Sequence, residues 1–104
     1  MKVSVPHNTT VEEAIVIIDR SVTEIFEVGG SVELIERLRR WEGPLMDFAL
    51  TARVGFISLP IEGRVEIDDI TVTVHCELPQ LAKTFLGEEK IRAGVEDKVR
   101  RILA

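Results

Sequence analysis

Apolar and polar residues alternate without a fault from Ile70 to Leu78: Ile70, Val72, Val74, Cys76 and Leu78 fall on one side, and Thr71, Thr73, His75 and Glu77 on the other. Successive side chains of an extended strand point to opposite faces, so this run predicts a strand with one buried and one polar face. Two earlier runs share the period. Met46, Phe48, Leu50 and Ala52 oppose Asp47, Ala49, Thr51 and Arg53; Ile57, Leu59, Ile61, Gly63, Val65 and Ile67 oppose Ser58, Glu62, Arg64 and Glu66. Gly55 breaks the first run from the second, and Asp68-Asp69 supplies a turn after the second. Pro60 cannot donate to a neighbouring ladder, which predicts an edge position or a bulge there. Lys2-Val3-Ser4-Val5 alternates too and is ended by Pro6, so a short strand is expected at one end of the sheet.

A period near 3.6 replaces this alternation on either side. Thr10 with Glu13, and Thr9 with Glu12, have the spacing of a capping box. Beyond them Val11, Ala14, Ile15, Ile18, Val22, Ile25 and Phe26 form one apolar stripe, with Glu12, Glu13, Asp19, Arg20 and Glu24 mostly off it. One helix is therefore predicted, stopped by Gly29-Gly30. Val16 and Ile17 widen the stripe, which implies cover on more than one side, as by a C-terminal helix. Pro79 suits a first helical position. Leu81, Ala82, Phe85, Ile91, Val95, Val99, Ile102 and Leu103 continue helically to the end, with a weakening or kink at Gly87.

Ser31 to Trp41 fits two patterns. Val32, Leu34, Ile35, Leu38 and Trp41 suit a short helix capped by Ser31 nearly as well as a strand carrying a bulge. We favour the strand, because it would pair through Glu42-Gly43-Pro44 with the run that follows. The expected class is α+β: a single domain, residues 1–104, with an antiparallel sheet of about four to five strands and the N-terminal and long C-terminal helices on one face.

Composition narrows the chemistry more than the fold. With 45% hydrophobic and 30% charged residues, the chain has the balance of a folded soluble protein. Its net charge of -5 argues against nucleic-acid binding, which needs Lys and Arg to neutralise phosphates. Arg37, Arg39 and Arg40 sit among Glu33, Glu36 and Glu42 and read as mixed surface. No uncharged run approaches the roughly 20 residues of a membrane span, and the N-terminus lacks a signal-peptide core, so a cytoplasmic location is expected.

No catalytic or metal constellation stands out. Cys76 beside His75 suggests an activated thiolate, but neighbours on a strand point apart. Two histidines and one cysteine do not provide a zinc site, and no glycine loop opens a helix to cradle phosphate. No cofactor is expected. Trp41, Met46, Phe48 and Phe85 could wall an apolar pocket between sheet and C-terminal helix, or pack as core.

Trp41-Glu42-Gly43, Phe48, Gly55, Gly63-Arg64-Val65, Val72, Leu78-Pro79, Ala82, Phe85, Gly87 and Ile91, with Val5-Pro6-His7 ahead of Glu12-Glu13-Ala14, together resemble the polyhydroxyalkanoic acid system protein family. The resemblance covers nearly the whole chain and carries no catalytic signature. It implies a reduced helix-grip architecture, similar to START-like proteins, and a bacterial polyester-storage setting with an apolar ligand or a granule component as partner. Glu88-Glu89 looks like an insertion in that pattern, and Leu86 stands where a lysine is expected. The leading expectation is thus a non-enzymatic accessory protein. The alternatives are a module that homodimerises through a sheet edge or outer face near Phe56 and Pro60, and a small helix-grip enzyme acting on an apolar or acyl substrate.

Overall fold

The computed structural model describes residues 1–27 and 32–104, with the backbone alone for Phe85 and Leu86. In chain order the elements are β1 (Lys2–Pro6), α1 (Val11–Arg20), α2 (Val22–Ile25), β2 (Val32–Glu42), β3 (Leu45–Val54), β4 (Ile57–Ile67), β5 (Thr71–Glu77), α3 (Gln80–Leu86) and α4 (Glu88–Ile102). The strands form one antiparallel sheet in the order β1-β5-β4-β3-β2. The protein is an α+β domain, as the alternating runs predict.

Two tight hairpins set the register of the sheet. Glu42 pairs with Leu45 around Gly43-Pro44, and Val54 pairs with Ile57 around Gly55-Phe56. Gly43 and Gly55 stand first in these two-residue loops with φ near +60°, which a side chain would resist. Pro60 lies opposite Thr51 on β3, while β5 pairs with β4 only from Glu62 to Ile67. The sheet therefore leaves Pro60 with an open side although β4 is a central strand. β2, β3 and β4 run past β5, and the molecule measures 41 × 23 × 19 Å.

The inward side chains form one core. Val3, Val5, Met46, Phe48, Leu50, Leu59, Val65, Val72 and Val74 from the sheet meet Ala14, Ile18, Val22, Ile25, Val95 and Val99 from the helices, all buried. Thr10 caps α1 by accepting from the Glu13 N–H (3.1 Å), and its neighbour Thr9 donates to the Glu13 carboxylate. At the far end of the sheet Asp68 Oδ1 accepts from the Ile70 and Thr71 N–H groups (2.9 and 2.7 Å), closing the β4-β5 turn.

Several sequence expectations are corrected. The first helix is divided at Ser21, whose φ of -120° leaves helical space; the break turns α2 so that Val22, Ile25 and Phe26 still reach the core. Val16 is 46% exposed, because α4 packs on β1 and α2 rather than across that face of α1. Pro79 is the residue before α3 and not its first turn. Ile70 and Leu81 are exposed, the first lifted out in the Asp68 turn and the second on the outer side of α3. Gly87, at φ +79°, separates α3 from α4 outright. The predicted stop at Gly29-Gly30 and the Ser31 cap lie outside the described residues.

Candidate functional site

The space where a helix-grip protein would hold a ligand is between α2, α3, α4 and the inner face of the sheet. The enclosed void there measures about 10 Å³, with Phe26, Leu34, Ala52, Ile61 and Ile91 among its walls. That is room for about one water, against the roughly 300–1,000 Å³ of ligand pockets. Its described lining carries no titratable group.

The residues singled out as pocket walls are dispersed. Met46 and Phe48 are 1% and 2% exposed and fully packed. The Phe48 ring lies 5.0 Å from that of Phe26, tilted by 42°. Neither Phe48, Met46 nor Trp41 borders the void. The Phe85 side chain lies outside the described residues.

Trp41 belongs to a polar cluster at the end of α1 that the sequence pattern did not reveal. One extra residue, Arg37, stands between the pairs Glu36-Leu50 and Leu38-Ala49. Cross-strand partners share a face, so this β-bulge moves Leu38 to the bare side and turns Arg39 and Trp41, opposite Phe48 and Met46, toward the helices. There the Trp41 indole N–H donates to Asp19 Oδ1 (2.8 Å). Arg39 donates to the Asp19 backbone oxygen (2.5 Å), to Asp19 Oδ1 (3.2 Å) and to Glu36 Oε1 (2.5 Å). In the sequence Asp19 is only a polar position off the apolar stripe; its meeting with Trp41 follows from a bulge whose place periodicity does not fix.

The Trp41 hydrogen bond, followed by that from Arg39, holds the Asp19 carboxyl below its ordinary value of 3.8, against an opposing effect of burial. A depressed folded-state value stabilises the fold above the unfolded-state pKa, and that contribution is lost as pH falls through the folded value. Trp41 is the only tryptophan. Acid titration is therefore expected to shift its fluorescence below the ordinary Asp range before global unfolding, and Asp19→Asn to remove that step. An unchanged acid step in Asp19→Asn would overturn the assignment.

Cys76 and His75 are confirmed on opposite faces. Cys76 is 3% exposed, and burial pushes its thiol up to about 12. It is expected to resist thiol reagents at pH 8 until the protein unfolds, checked by labelling rate against urea concentration; rapid native labelling would contradict this. His75 faces out, 3.8 Å from the Glu66 carboxylate. His7 is buried at the far end: Nδ1 accepts from the Thr9 N–H (3.3 Å) and Nε2 donates to the Asp68 carbonyl (2.7 Å), tying the exit of β1 to the β4-β5 turn.

The bare face of the sheet holds an open groove of about 490 Å³ bordered by Asp47, Glu62, Arg64 and His75. Across it Arg64 contacts Asp47 of the paired strand at 2.9 Å. Among the described residues no His, Cys, Asp and Glu side chains gather in a group able to hold a metal ion, and no buried side-chain nitrogen or oxygen lacks a hydrogen-bond partner. No family model, curated protein or solved structure matches the chain. Among the described residues no helix is long and apolar enough to cross a membrane.

What the surface offers instead is exposed apolar area. Phe56, second in the β3-β4 loop, is 107% exposed, and Leu38 is 48% exposed on the bare face of β2. A phenylalanine at a hairpin tip with no intramolecular contact contributes nothing to the core.

Proposed function

We propose that this is a non-enzymatic accessory protein of a bacterial polyester-storage system, working in the cytoplasm by binding through its surface. The observation that carries this reading is the space between helices and sheet, where the void bounded by the described residues measures about 10 Å³, too little for an acyl ligand. The sequence resemblance supports the storage setting, and the projecting Phe56 supports contact with an apolar granule component. Burying one such side chain on a partner contributes about 1.5–3 kcal/mol, or about tenfold or more in affinity.

Granule fractionation from a polyester-accumulating bacterium tests the proposal. The tagged protein is expected in the granule fraction, and Phe56→Ser to leave it largely in the supernatant while keeping its thermal stability. Equal distribution with and without polymer would overturn the reading. Native mass spectrometry showing a retained hydroxyacyl or lipid species would replace it with an internal-ligand function.

A further inference from the structure

The two edges of the sheet differ in a way that points to a partner. β1 is a five-residue strand bearing Lys2 and Pro6, residues that discourage further pairing. β2 is an eleven-residue strand with neither, and no described element pairs with its outer edge.

The hairpins fix which backbone groups face that edge. In a two-residue hairpin the pair flanking the loop is hydrogen-bonded, and the ladder alternates from there. Glu42, Arg40 and Leu38 therefore address β3, as do Ile35 and Glu33 beyond the bulge, by the phase that Val54-Ile57 sets on β3. The N–H and C=O groups of Val32, Leu34, Arg39 and Trp41 are left directed outward. The same registers place Glu33, Ile35, Leu38 and Arg40 on the bare face, opposite Arg53, Thr51, Ala49 and Asp47.

We propose that the occupant of this edge is a second copy of the chain, its β2 antiparallel to the first about a two-fold axis between Glu36 and Arg37. In this register Val32 meets Trp41 and Leu34 meets Arg39, joined through their outward backbone groups. On the bare face Glu33 meets Arg40, and Ile35 meets Leu38, each pair formed twice by symmetry. These are non-hydrogen-bonded pairs, in which side chains approach most closely. The bulge makes the register possible: without Arg37 as an extra residue, Glu33 and Arg40 would point to opposite faces. A slip of two residues one way opposes Glu33 with Glu42, and the other way leaves Arg40 with no acidic partner from the described strand, so charge selects the register. The exposed Leu38 is covered by Ile35 of the other copy, and the two sheets become one.

Light scattering and sedimentation on the full chain, at several concentrations, test this. A dimer is expected, with Glu33→Arg or Arg40→Glu each raising its dissociation constant by about tenfold or more, because two attractive cross-strand pairs become repulsive. The double variant Glu33→Arg/Arg40→Glu is expected to restore dimerisation. Within one chain that swap only adds like-charge neighbours, beside Arg53 and Asp47, so recovery has to come from pairs between copies. As a second readout that survives a loss of affinity, Ile35→Cys/Leu38→Cys is expected to oxidise to a covalent dimer and Ile35→Cys alone to remain uncrosslinked. A monomer at all concentrations, a dimer insensitive to both reversals, or failure of the double-cysteine variant to crosslink would each overturn the proposal.

Discussion

Gly63→Ala is expected to destabilise the protein by about 3 kcal/mol or more, or to prevent folding, at the upper end of overpacking costs. A methyl group at this position would lie 2.1 Å from the His75 backbone oxygen, 2.7 Å from Phe48 Cζ and 3.0 Å from Cys76 Cα. The obstruction is mainly backbone, and it sits where β4 pairs with β5, opposite Cys76. Relief would require opening the ladder that joins β1 and β5 to the rest of the sheet. Phe48→Leu in the Gly63→Ala background is therefore expected to recover little, since it yields only the side-chain contact. Urea unfolding of both variants followed by circular dichroism checks this; a loss under 1 kcal/mol would show that the sheet accommodates the methyl group.

Phe48→Ala is expected to cost about 3–5 kcal/mol, a large share of the 5–15 kcal/mol that holds a domain together. The ring is 2% exposed, packs on Phe26 at 5.0 Å and covers Gly63. Its removal takes apolar area from the core and leaves a cavity lined by Phe26 and the bare glycine backbone. The same variant separates the two roles open to this residue in the sequence. A pocket wall would lose ligand affinity at little cost to stability, whereas a core residue loses stability first. A midpoint in urea close to wild type would contradict the packed-core role.

The strand pattern was readable because a pleated strand exposes its faces at every second residue. Met46, Phe48, Leu50 and Ala52 are buried together, as are Val72, Val74 and Cys76. The choice of a strand for Ser31 to Trp41 holds for Val32–Glu42, bulge included. Its burial, however, could not be read from its apolar residues: Leu38 is exposed and Ile35 half-buried, since the helices do not cover the bare face. Ile70 and Leu81 misled for a related reason. Ile70 extends the alternation of β5 one position ahead of the strand, into the Asp68 turn, and Leu81 lies on the outer side of α3 beside the buried Ala82.

The candidate site was less legible than the fold. Trp41, Met46 and Phe48 share an apolar character that suits a wall or a core equally well, and only the space left between distant elements separates the two. Asp19 gave no signal, because its partners Arg39 and Trp41 are brought to it by one unpaired residue in a strand formed later in the chain.

By itself, then, the sequence determined what short-range periodicity encodes: the faces of most strands, the Thr10 cap, the glycine loops and the opposed directions of His75 and Cys76. The tertiary structure alone decided how the faces meet. Among the described residues it narrowed the void beneath the helices to about 10 Å³, gave Pro60 an open side within a central strand, and left the outer edge of β2 without a paired strand. Those outcomes depend on side-chain volumes and strand order contributed by segments far apart in the chain, which no local pattern records.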